Sequence, residues 1–424
     1  MKAANSARSV WMLVAALWVV AMLNYLDRQA IFSMFPPLQK EFKVTSSQLG
    51  LLSTYFLWVY GLASPLGGFL ADRFSRKKII IVSLVIWSAV TWLTGRAGSF
   101  NQLLGARALM GLSEACYIPA ALALIADRHS ERTRSLATGL HQSGIYVGVI
   151  LGGWLGGWLA QHYGWRPAFT LLGAVGVVYA PMLLLGIRET ATAALPTNEP
   201  VQLNFLTAVA TLFRKRDFIL LTICATFFSI AGWIVMTWLP LYLYERFQMD
   251  LANAGFSATF WIQAAAFVGI AVGGLLADRW SATNPHARKL IPLGGFLAGG
   301  VFLFLVGWTA SKAVLIPGLI VYGLSRGFWD CTLMPMLCRI APEQLRATGY
   351  GIFNLAGTLV GGTMAWAAGA LKEAIGLGGA LQISALILCA AGLVLSRLQL
   401  NAHSAEDPTK SEQETLGQSG RNHR

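Results

Sequence analysis

Charged residues are scarce in this sequence, at 12% of its 424 positions. Soluble domains carry about 25% charged residues, so the composition excludes a disordered chain, a coiled coil and an ordinary soluble enzyme. Cysteine is scarce too: the five cysteines are an odd number and lie inside apolar runs, which excludes a disulfide framework. No polar segment between the apolar runs is long enough to form a soluble domain.

Apolar residues, in contrast, make up 55% of the chain, and they fall into separate runs of about 20 residues, the length of a membrane-spanning helix. Such a helix satisfies its backbone hydrogen bonds internally, so these runs are typical of a polytopic membrane protein. The first run follows Lys2 and Arg8 like a signal peptide, but no small-residue cleavage site precedes Asn24, and we expect a retained helix. We predict an all-α integral membrane protein with twelve transmembrane helices, near residues 10–36, 47–71, 79–97, 101–127, 133–160, 165–186, 217–245, 253–278, 289–310, 313–339, 345–370 and 375–398.

A net charge of +13 is one that a nucleic-acid-binding protein could have. Here, however, the positions of Lys and Arg along the chain match the sides of the membrane that the predicted helices define. Of the 32 Lys and Arg, 22 lie at the N-terminus, in alternate loops and in the C-terminal tail, and 7 lie in the opposite loops. Arg28, Arg107 and Arg326 lie inside helices. Because Lys-rich and Arg-rich loops stay in the cytoplasm, we expect both termini in the cytoplasm of a bacterial inner (plasma) membrane. The expected partner is the lipid bilayer, not nucleic acid.

The chain also contains an internal repeat. The segment Gly68–Arg73 recurs as Gly274–Arg279, an offset of 206, and three other short matches occur in order at offsets of 209, 210 and 212. A parallel repeat of six helices predicts a binding cavity between the halves near the bilayer midplane, with the halves rocking about it. The expected organisation is an N-terminal half (1–186), a cytoplasmic linker (187–216), a C-terminal half (217–398) and a disordered cytoplasmic tail (399–424).

The motif Gly68-x-Leu-Ala-Asp72-Arg73-x-x-Arg76-Lys77 resembles the signature of the major facilitator superfamily, with Ser75 where that signature usually has Gly. Other segments resemble the anion:cation symporter family, which includes galactonate and hexuronate permeases and sialin. These segments are Asn24-Tyr25-Leu26-Asp27-Arg28, Trp58-x-Tyr60, Arg107-x-x-x-Gly111-x-x-Glu114, Tyr163-Gly164-Trp165-Arg166, Trp238-Leu239-Pro240 and Gly351-Ile352-Phe353-Asn354. The first and the third segments also resemble spinster-like lipid transporters.

Six ionisable residues lie at membrane depth, where each costs about 2.5–3.5 kcal/mol to insert, so they should face a wet cavity or each other. Arg107 and Glu114 are two turns apart on one helix face, about 10.5 Å. Arg326 and Asp330 are spaced to pair directly, and the repeat puts Arg326 at the position of Glu114. An alternative is that all six only form fixed ion pairs between helices. The six are Asp27, Arg28, Arg107, Glu114, Arg326 and Asp330.

Two roles are expected for these charges. A guanidinium binds a carboxylate through two parallel hydrogen bonds, and Arg28 is the first candidate, with Arg107 as its partner or as support for an acid. Asp27 and Glu114 are the candidate proton carriers, and the family resemblance implies the same assignments. Arg326 and Asp330 are a candidate second site in the C-terminal half. Alternatively, they form an ion pair in which the two charges only neutralise each other.

Three polar residues match cavity positions in the resembled family: Tyr60, Gln142 and Asn354. Each can hydrogen-bond a substrate hydroxyl or, alternatively, another helix. Sugar-acid permeases often have an amide near the position of Ile145, which weakens a sugar-acid assignment. His141 beside Gln142 is read as a helix-packing residue.

Asp72 and Asp278 end equivalent helices on the predicted cytoplasmic side. The resemblance implies that the signature loop locks the two halves together while the cavity faces outward. A carboxylate held near a helix N-terminus of the other half would contribute up to about 1–2 kcal/mol. Alternatively these charges only set topology. The remaining residues of this candidate latch are Arg73, Arg76, Asp127 and Arg279.

No phosphate-binding loop, metal-ligand cluster or Gly-x-Ser-x-Gly motif is present in the sequence. We therefore predict no enzyme activity, no ATP drive, no metal and no cofactor. The predicted function is proton-coupled uptake of a small organic anion by a monomer. The alternatives are a spinster-like transporter of lysolipids or other amphiphiles, a drug or sugar-conjugate efflux pump, and a sensor or scaffold that keeps the fold without transport.

Overall fold

A computed structural model describes residues 2–186, 205–281, 283–284, 286–342 and 345–399. Every regular element in these ranges is a helix. The helices are α1 (Lys2–Ser33), α2 (Phe35–Phe42), α3 (Ser46–Arg73), α4 (Arg76–Thr94), α5 (Phe100–Glu114), α6 (Tyr117–Arg128), α7 (Glu131–Tyr163), α8 (Trp165–Gly186), α9 (Phe205–Phe213), α10 (Arg216–Phe247), α11 (Leu251–Ser281), α12 (Ala287–Trp308), α13 (Lys312–Ile340) and α14 (Arg346–Ser396).

Within the described ranges, ten helical segments are long and apolar enough to cross a membrane. One of them, α14, has 51 residues and is long enough to cross twice, with its reversal at Gly376, whose φ of 68° is non-helical. Helix α13 has the 29-residue length of a span but is more polar, because it carries Arg326 and Asp330. These observations agree with the twelve predicted spans, and the boundaries lie within a few residues of those expected.

One predicted span is not a continuous helix. The expected helix 101–127 is divided into α5 and α6 at Ala115 and Cys116, directly after Glu114. Pro119 explains the break, since its ring has no N–H to donate to the carbonyl of Ala115 and crowds that carbonyl. Gly67 of α3 fits against the break: a Cβ there would lie 2.5 Å from the Ala115 oxygen.

Equivalent contacts confirm that the two halves share one fold. A Cβ on Gly111 would lie 2.5 Å from the oxygen of Phe56, and a Cβ on Gly323 would lie 2.5 Å from the oxygen of Ile262. Gly323 follows Gly111 by 212 positions and Ile262 follows Phe56 by 206, and both are offsets of the sequence repeat. The turns before the second long helix of each half match as well, because Lys43 before α3 and Gln248 before α11 both have a φ of 51°.

The halves meet along two helix pairs, α3 with α14 and α7 with α11. From one end of the molecule to its middle the contacts are tight: a Cβ on Gly153, towards the end of α7, would lie 2.6 Å from the Gly255 oxygen, and one on Gly61, near the middle of α3, would lie 2.3 Å from Thr358 Oγ1. Two turns further along the same helix faces, a Cβ on Gly68 or on Gly351 would meet no described atom within 4 Å. The helices therefore diverge, and a cleft opens at the end where α3 meets α4.

The predicted linker 187–216 contains a helix that the sequence analysis did not anticipate. Residues 187–204 lie outside the described ranges, but α9 is ordered as a short helix, and its Ala208 and Leu212 are buried. It packs against α10 and α14 of the C-terminal half. The predicted tail lies outside the described ranges from residue 400 onward.

A cluster of polar side chains stabilises the closed end of the N-terminal half. The Trp165 indole donates to Glu41 at 2.6 Å, and Arg166 pairs with the same carboxylate. Partial burial would raise the pKa of Glu41, but hydrogen bonds from Arg166 and Trp165 and the positive charge of Arg166 outweigh it and hold this pKa below its ordinary value. The cluster is therefore stabilised by the ionised carboxylate.

Replacing Glu41 with Gln should lower thermal stability at pH 7, because the ion pair with Arg166 is lost. Both side chains of the pair are more than a third exposed, so the expected cost is about 0.2–1 kcal/mol. A carboxyl with a depressed folded-state pKa contributes above its unfolded pKa of about 4.3 and loses that contribution as the pH falls through the folded value. Unfolding of the purified protein, followed by tryptophan fluorescence, should therefore show the full difference between wild type and Glu41→Gln at pH 7, and this difference should shrink steadily as the pH is lowered below about 4.3. An equal difference across this pH range would contradict this assignment.

Candidate substrate-binding site

The centre of the N-terminal half is built around a buried ion pair between α1 and α5. Arg28 donates to Oε2 of Glu114 from Nη2 at 2.7 Å and from Nε at 3.1 Å. Asn24, one turn before Arg28, accepts from the same Nη2 at 3.5 Å. The Arg28 and Glu114 side chains are 2% and 0% exposed, so both charges are removed from water. The attraction between them offsets the desolvation cost of each.

Three aromatic rings enclose the Arg28 guanidinium. Its central carbon lies 4.4 Å from the ring centroid of Tyr25, 4.6 Å from that of Phe56 and 4.8 Å from that of Tyr60. Stacked rings attract a cation through their quadrupoles, and the attraction increases when water is excluded. The cage holds the guanidinium plane in one place, so the edge that bonds Glu114 has a fixed direction.

Asp27 and Arg107 lie beside this pair without joining it. Asp27 is directed towards α4, where Thr91 donates to its Oδ2 at 3.4 Å, and its Oδ1 has no hydrogen bond from any residue that the structure describes. Arg107 donates from Nε to the Leu52 carbonyl at 3.1 Å, and its Nη2 has no partner within the described ranges. Each residue thus keeps a buried polar atom unsatisfied, which is costly in a core.

The four charges therefore come together as the helix positions predicted, but they do not face open water. Asp27, Arg28, Arg107 and Glu114 are each at most 2% exposed. Of the two expected arrangements, facing a wet cavity or facing each other, this conformation shows the second: the four charges lie behind the cavity wall. The reason is local, because Glu114 neutralises Arg28 and the aromatic cage closes over the pair.

The cavity itself lies between the halves, with about 290 Å³ of space that holds no protein atoms, part of which is open to solvent. Its polar lining is supplied by Gln29 of α1, by Thr259 and Gln263 of α11, and by Tyr322 and Arg326 of α13. Arg326 Nε lies 3.8 Å from Asp330 Oδ2, and the two side chains keep 29% and 32% exposure. The pair predicted for the C-terminal half is thus formed, but it is loose and borders the open space.

Tyr60, Gln142 and Asn354 occupy different surroundings. Tyr60 is buried in the aromatic cage. Gln142 is exposed on the α7 face that continues through Tyr146 and Val149, and Val149 lines the cavity. Asn354 is half-buried, between Gly351 and Thr358 on the cleft face of α14. His141 is buried and bonds the Tyr117 hydroxyl at 2.9 Å, as a packing residue would.

Three residues of the candidate latch, Arg76, Asp127 and Asp278, form ion pairs within their own half. Arg76 pairs with Asp127 and also donates to the Ala123 carbonyl at 3.2 Å, both in the N-terminal half. Asp278 lies 3.5 Å from Arg288 in the C-terminal half. Arg73 and Arg279 are exposed, Arg73 over the ring of Phe69. Asp72 lies in the last turn of α3, and its side chain is not among those described. The latch residues border the open end of the cleft, where the halves are apart.

Several residues of this site were missed at the sequence level. Tyr25 and Asn24 lie within the quoted segment Asn24–Arg28, one turn from Arg28, and their i−3 and i−4 spacing was an available signal. Phe56 likewise lies one turn from Tyr60. Gln29 and Gln263, by contrast, carry no local signal, because only the packing of α1 against α11 brings them to one cavity.

The model for the Major Facilitator Superfamily matches residues 17–365 of this chain. The chain belongs to the major facilitator superfamily. A D-galactonate transporter from Escherichia coli O6:H1 is 26% identical over 416 residues, covering 92% of this chain and 95% of that protein. An MFS-type efflux pump from Mycolicibacterium smegmatis is 28% identical over 377 residues, covering 88% and 86%.

A solved structure shares the fold. It is a bacterial homologue of the human lysosomal transporter Spinster in an inward-facing, occupied conformation, with a TM-score of 0.75, 21% identity and coverage of 93% of this chain and 98% of that one. The major facilitator assignment and the spinster resemblance are therefore confirmed. The protein is a multi-pass membrane transporter and not an enzyme.

Proposed function

We propose that this protein imports a small organic anion, such as a sugar acid or another carboxylate, together with protons across a bacterial inner membrane. In this proposal Arg28 binds the substrate carboxylate, and Asp27 and Glu114 carry the protons. The cytoplasmic side is the end where the cleft opens, as the distribution of Lys and Arg predicts. The latch residues would then meet when the cleft closes there and the cavity faces outward.

One observation supports this proposal above the others: Glu114 occupies the Nε and Nη2 edge of Arg28 that a substrate carboxylate would use. An anion and Glu114 therefore compete for one guanidinium. Protonation of Glu114 removes its charge and leaves Arg28 free to bind the incoming carboxylate. Release of that proton restores the Arg28–Glu114 pair and expels the substrate.

The balance of buried charges also supports coupling of anion entry to proton entry. Asp27 and Glu114 supply two negative charges and Arg28 and Arg107 two positive ones, all buried. An incoming anion leaves this cluster one charge too negative, and an excess charge is costly at this depth. A proton bound to either acid removes the excess. If more protons than substrate charges enter, the membrane potential drives accumulation.

Replacing Glu114 with Gln tests the coupling directly. The amide resembles the protonated acid, so the variant should keep anion binding and the exchange of labelled for unlabelled substrate, but it should lose proton-driven accumulation. The measurement is uptake of carboxylated compounds into proteoliposomes under an imposed pH gradient, beside counterflow without one. Glu373→Gln, which neutralises an exposed acid of α14, is the matched control and should accumulate substrate normally.

Three results would redirect the proposal. Accumulation by Glu114→Gln against its gradient would show that Glu114 is not the coupling acid. Movement of substrate outward in exchange for protons would replace import with efflux. Transport of lysolipids with no response to any carboxylate would favour a spinster-like amphiphile transporter.

A further inference from the structure

The cavity wall of the C-terminal half holds an arginine that the coupling cluster leaves unused. Arg326 is equivalent in the repeat to Glu114, and the segment of α10 equivalent to Asp27 and Arg28, around Ile230–Trp238, has no charged residue. Arg326 thus lacks a charged partner on α10, whereas its counterpart Glu114 has such a partner, Arg28, on α1. Its remaining partner is Asp330 on its own helix, at 3.8 Å, too far for a hydrogen bond.

The guanidinium is also poorly satisfied. Among the described residues, no hydrogen bond from Arg326 to another side chain or carbonyl is found, and its buried Nε has no partner. Two amides are in the same condition: in the described part of the chain, both side-chain polar atoms of Gln29 and the Oε1 of Gln263 have no partner, although these residues are 0% and 4% exposed. All three line one cavity. Buried polar groups normally have hydrogen-bond partners, so several unpartnered polar atoms around one cavity indicate that a ligand or water binds there.

We propose that Arg326, with Gln29 and Gln263, forms a second anion subsite, so that the preferred substrates carry two acidic groups. This inference rests on the proposed function: one carboxylate binds at Arg28, and the second binds at Arg326. Gln29 directly follows Arg28 on α1, and it lines the same cavity as Arg326. The two subsites therefore adjoin across the boundary between the halves.

The chemistry of the wall suits an oxyanion with neighbouring hydroxyls. A guanidinium supplies paired donors for a carboxylate or sulfonate, and the glutamine amides supply one donor group and one acceptor group each for hydroxyls. Asp330 competes for Arg326 and repels an anion, which makes the subsite weak when it is empty. An anion bridging α1 and α13 would also draw the two halves together.

The test uses matched pairs of acids of equal chain length that differ by one carboxylate, beginning with D-galactonate and galactarate. Equilibrium binding to the purified protein is measured by intrinsic tryptophan fluorescence. We expect the wild type to bind the dianion about tenfold or more tighter than the monoanion, since a bond to a charged group is worth more than about 1.4 kcal/mol. Arg326→Gln should remove this preference by weakening the dianion and leave monoanion affinity within about twofold.

Two further variants separate a ligand role from a structural one. Asp330→Asn removes the competing carboxylate, so it should strengthen dianion binding, whereas loss of a purely structural pair would weaken or not change it. The variant Arg326→Gln with Asp330→Asn leaves no lone charge and should still lack the preference. Lys312→Gln removes one positive charge from the exposed start of the same helix and should keep the wild-type preference.

The outcomes are distinguishable. Equal weakening of mono- and dianions by Arg326→Gln, or an unchanged preference, would overturn the second subsite while leaving the Arg28 proposal intact. Weakening of dianions by Asp330→Asn would overturn it as well. Binding of no carboxylate in any pair by the wild type would overturn both this inference and the proposed function.

Discussion

Replacing Arg28 with Ala should abolish anion binding. The variant removes the two-bond fork and leaves Glu114 without a partner in a site that is fully buried. Losing a buried charge partner costs about 2–5 kcal/mol or more in binding, so affinity should fall by about 30-fold or more. Arg28→Lys should restore little, because an ammonium group cannot form the fork or lie flat among Tyr25, Phe56 and Tyr60.

A loss of folding could imitate this result, because breaking a buried ion pair destabilises a protein by about 3–5 kcal/mol. The double variant Arg28→Ala with Glu114→Gln separates the two effects, since it leaves no unpaired charge. It should regain thermal stability relative to Arg28→Ala but not regain binding. Stability is measured by thermal unfolding and binding by tryptophan fluorescence. Normal binding by the double variant would show that the substrate is not held by Arg28, and an amphiphile transporter would then be favoured.

Replacing Gly255 with Ala should reduce transport at least about tenfold by preventing closure of the end opposite the cleft. The added Cβ would lie 1.9 Å from the Gly153 oxygen and 2.7 Å from its carbonyl carbon. Both are backbone atoms that cannot rotate away, so α7 and α11 must separate. Overpacking of this kind costs about 1–3 kcal/mol, which would shift the balance between conformations by about 5- to 150-fold.

The shift can be observed with a cysteine at Ser46, which is buried at the same closed end, in a background without the five native cysteines. Gly255→Ala should make this cysteine react faster with a membrane-impermeant thiol reagent. The matched control is Gly294→Ala in α12, where an added Cβ meets nothing within 4 Å and Ala favours the helix by about 1 kcal/mol. Unchanged reactivity together with unchanged transport by Gly255→Ala would show that this contact does not form in the cycle.

The amino-acid sequence by itself determined the architecture. Twelve apolar runs, their boundaries and the repeat at offsets near 209 are local or periodic properties, and a bilayer leaves helices as the way to satisfy their backbone. The sequence also located all six intramembrane charges, because each interrupts an apolar run. The pairing of Arg326 with Asp330 was predictable as well, since an i, i+4 spacing on one helix needs no knowledge of any other helix.

The tertiary structure decided which charge meets which. Arg28 and Glu114 are 86 positions apart, and their pairing depends on how far α1 and α5 are rotated about their own axes, which spacing along one chain does not specify. A rotation of one residue turns a helix face by about 100°, and this separates Asp27, facing Thr91 on α4, from Arg28, facing Glu114. The orphaned amides around Arg326 arise for the same reason, since α1, α11 and α13 come from both halves of the chain. Helix periodicity places side chains on faces, but only packing decides what each face meets.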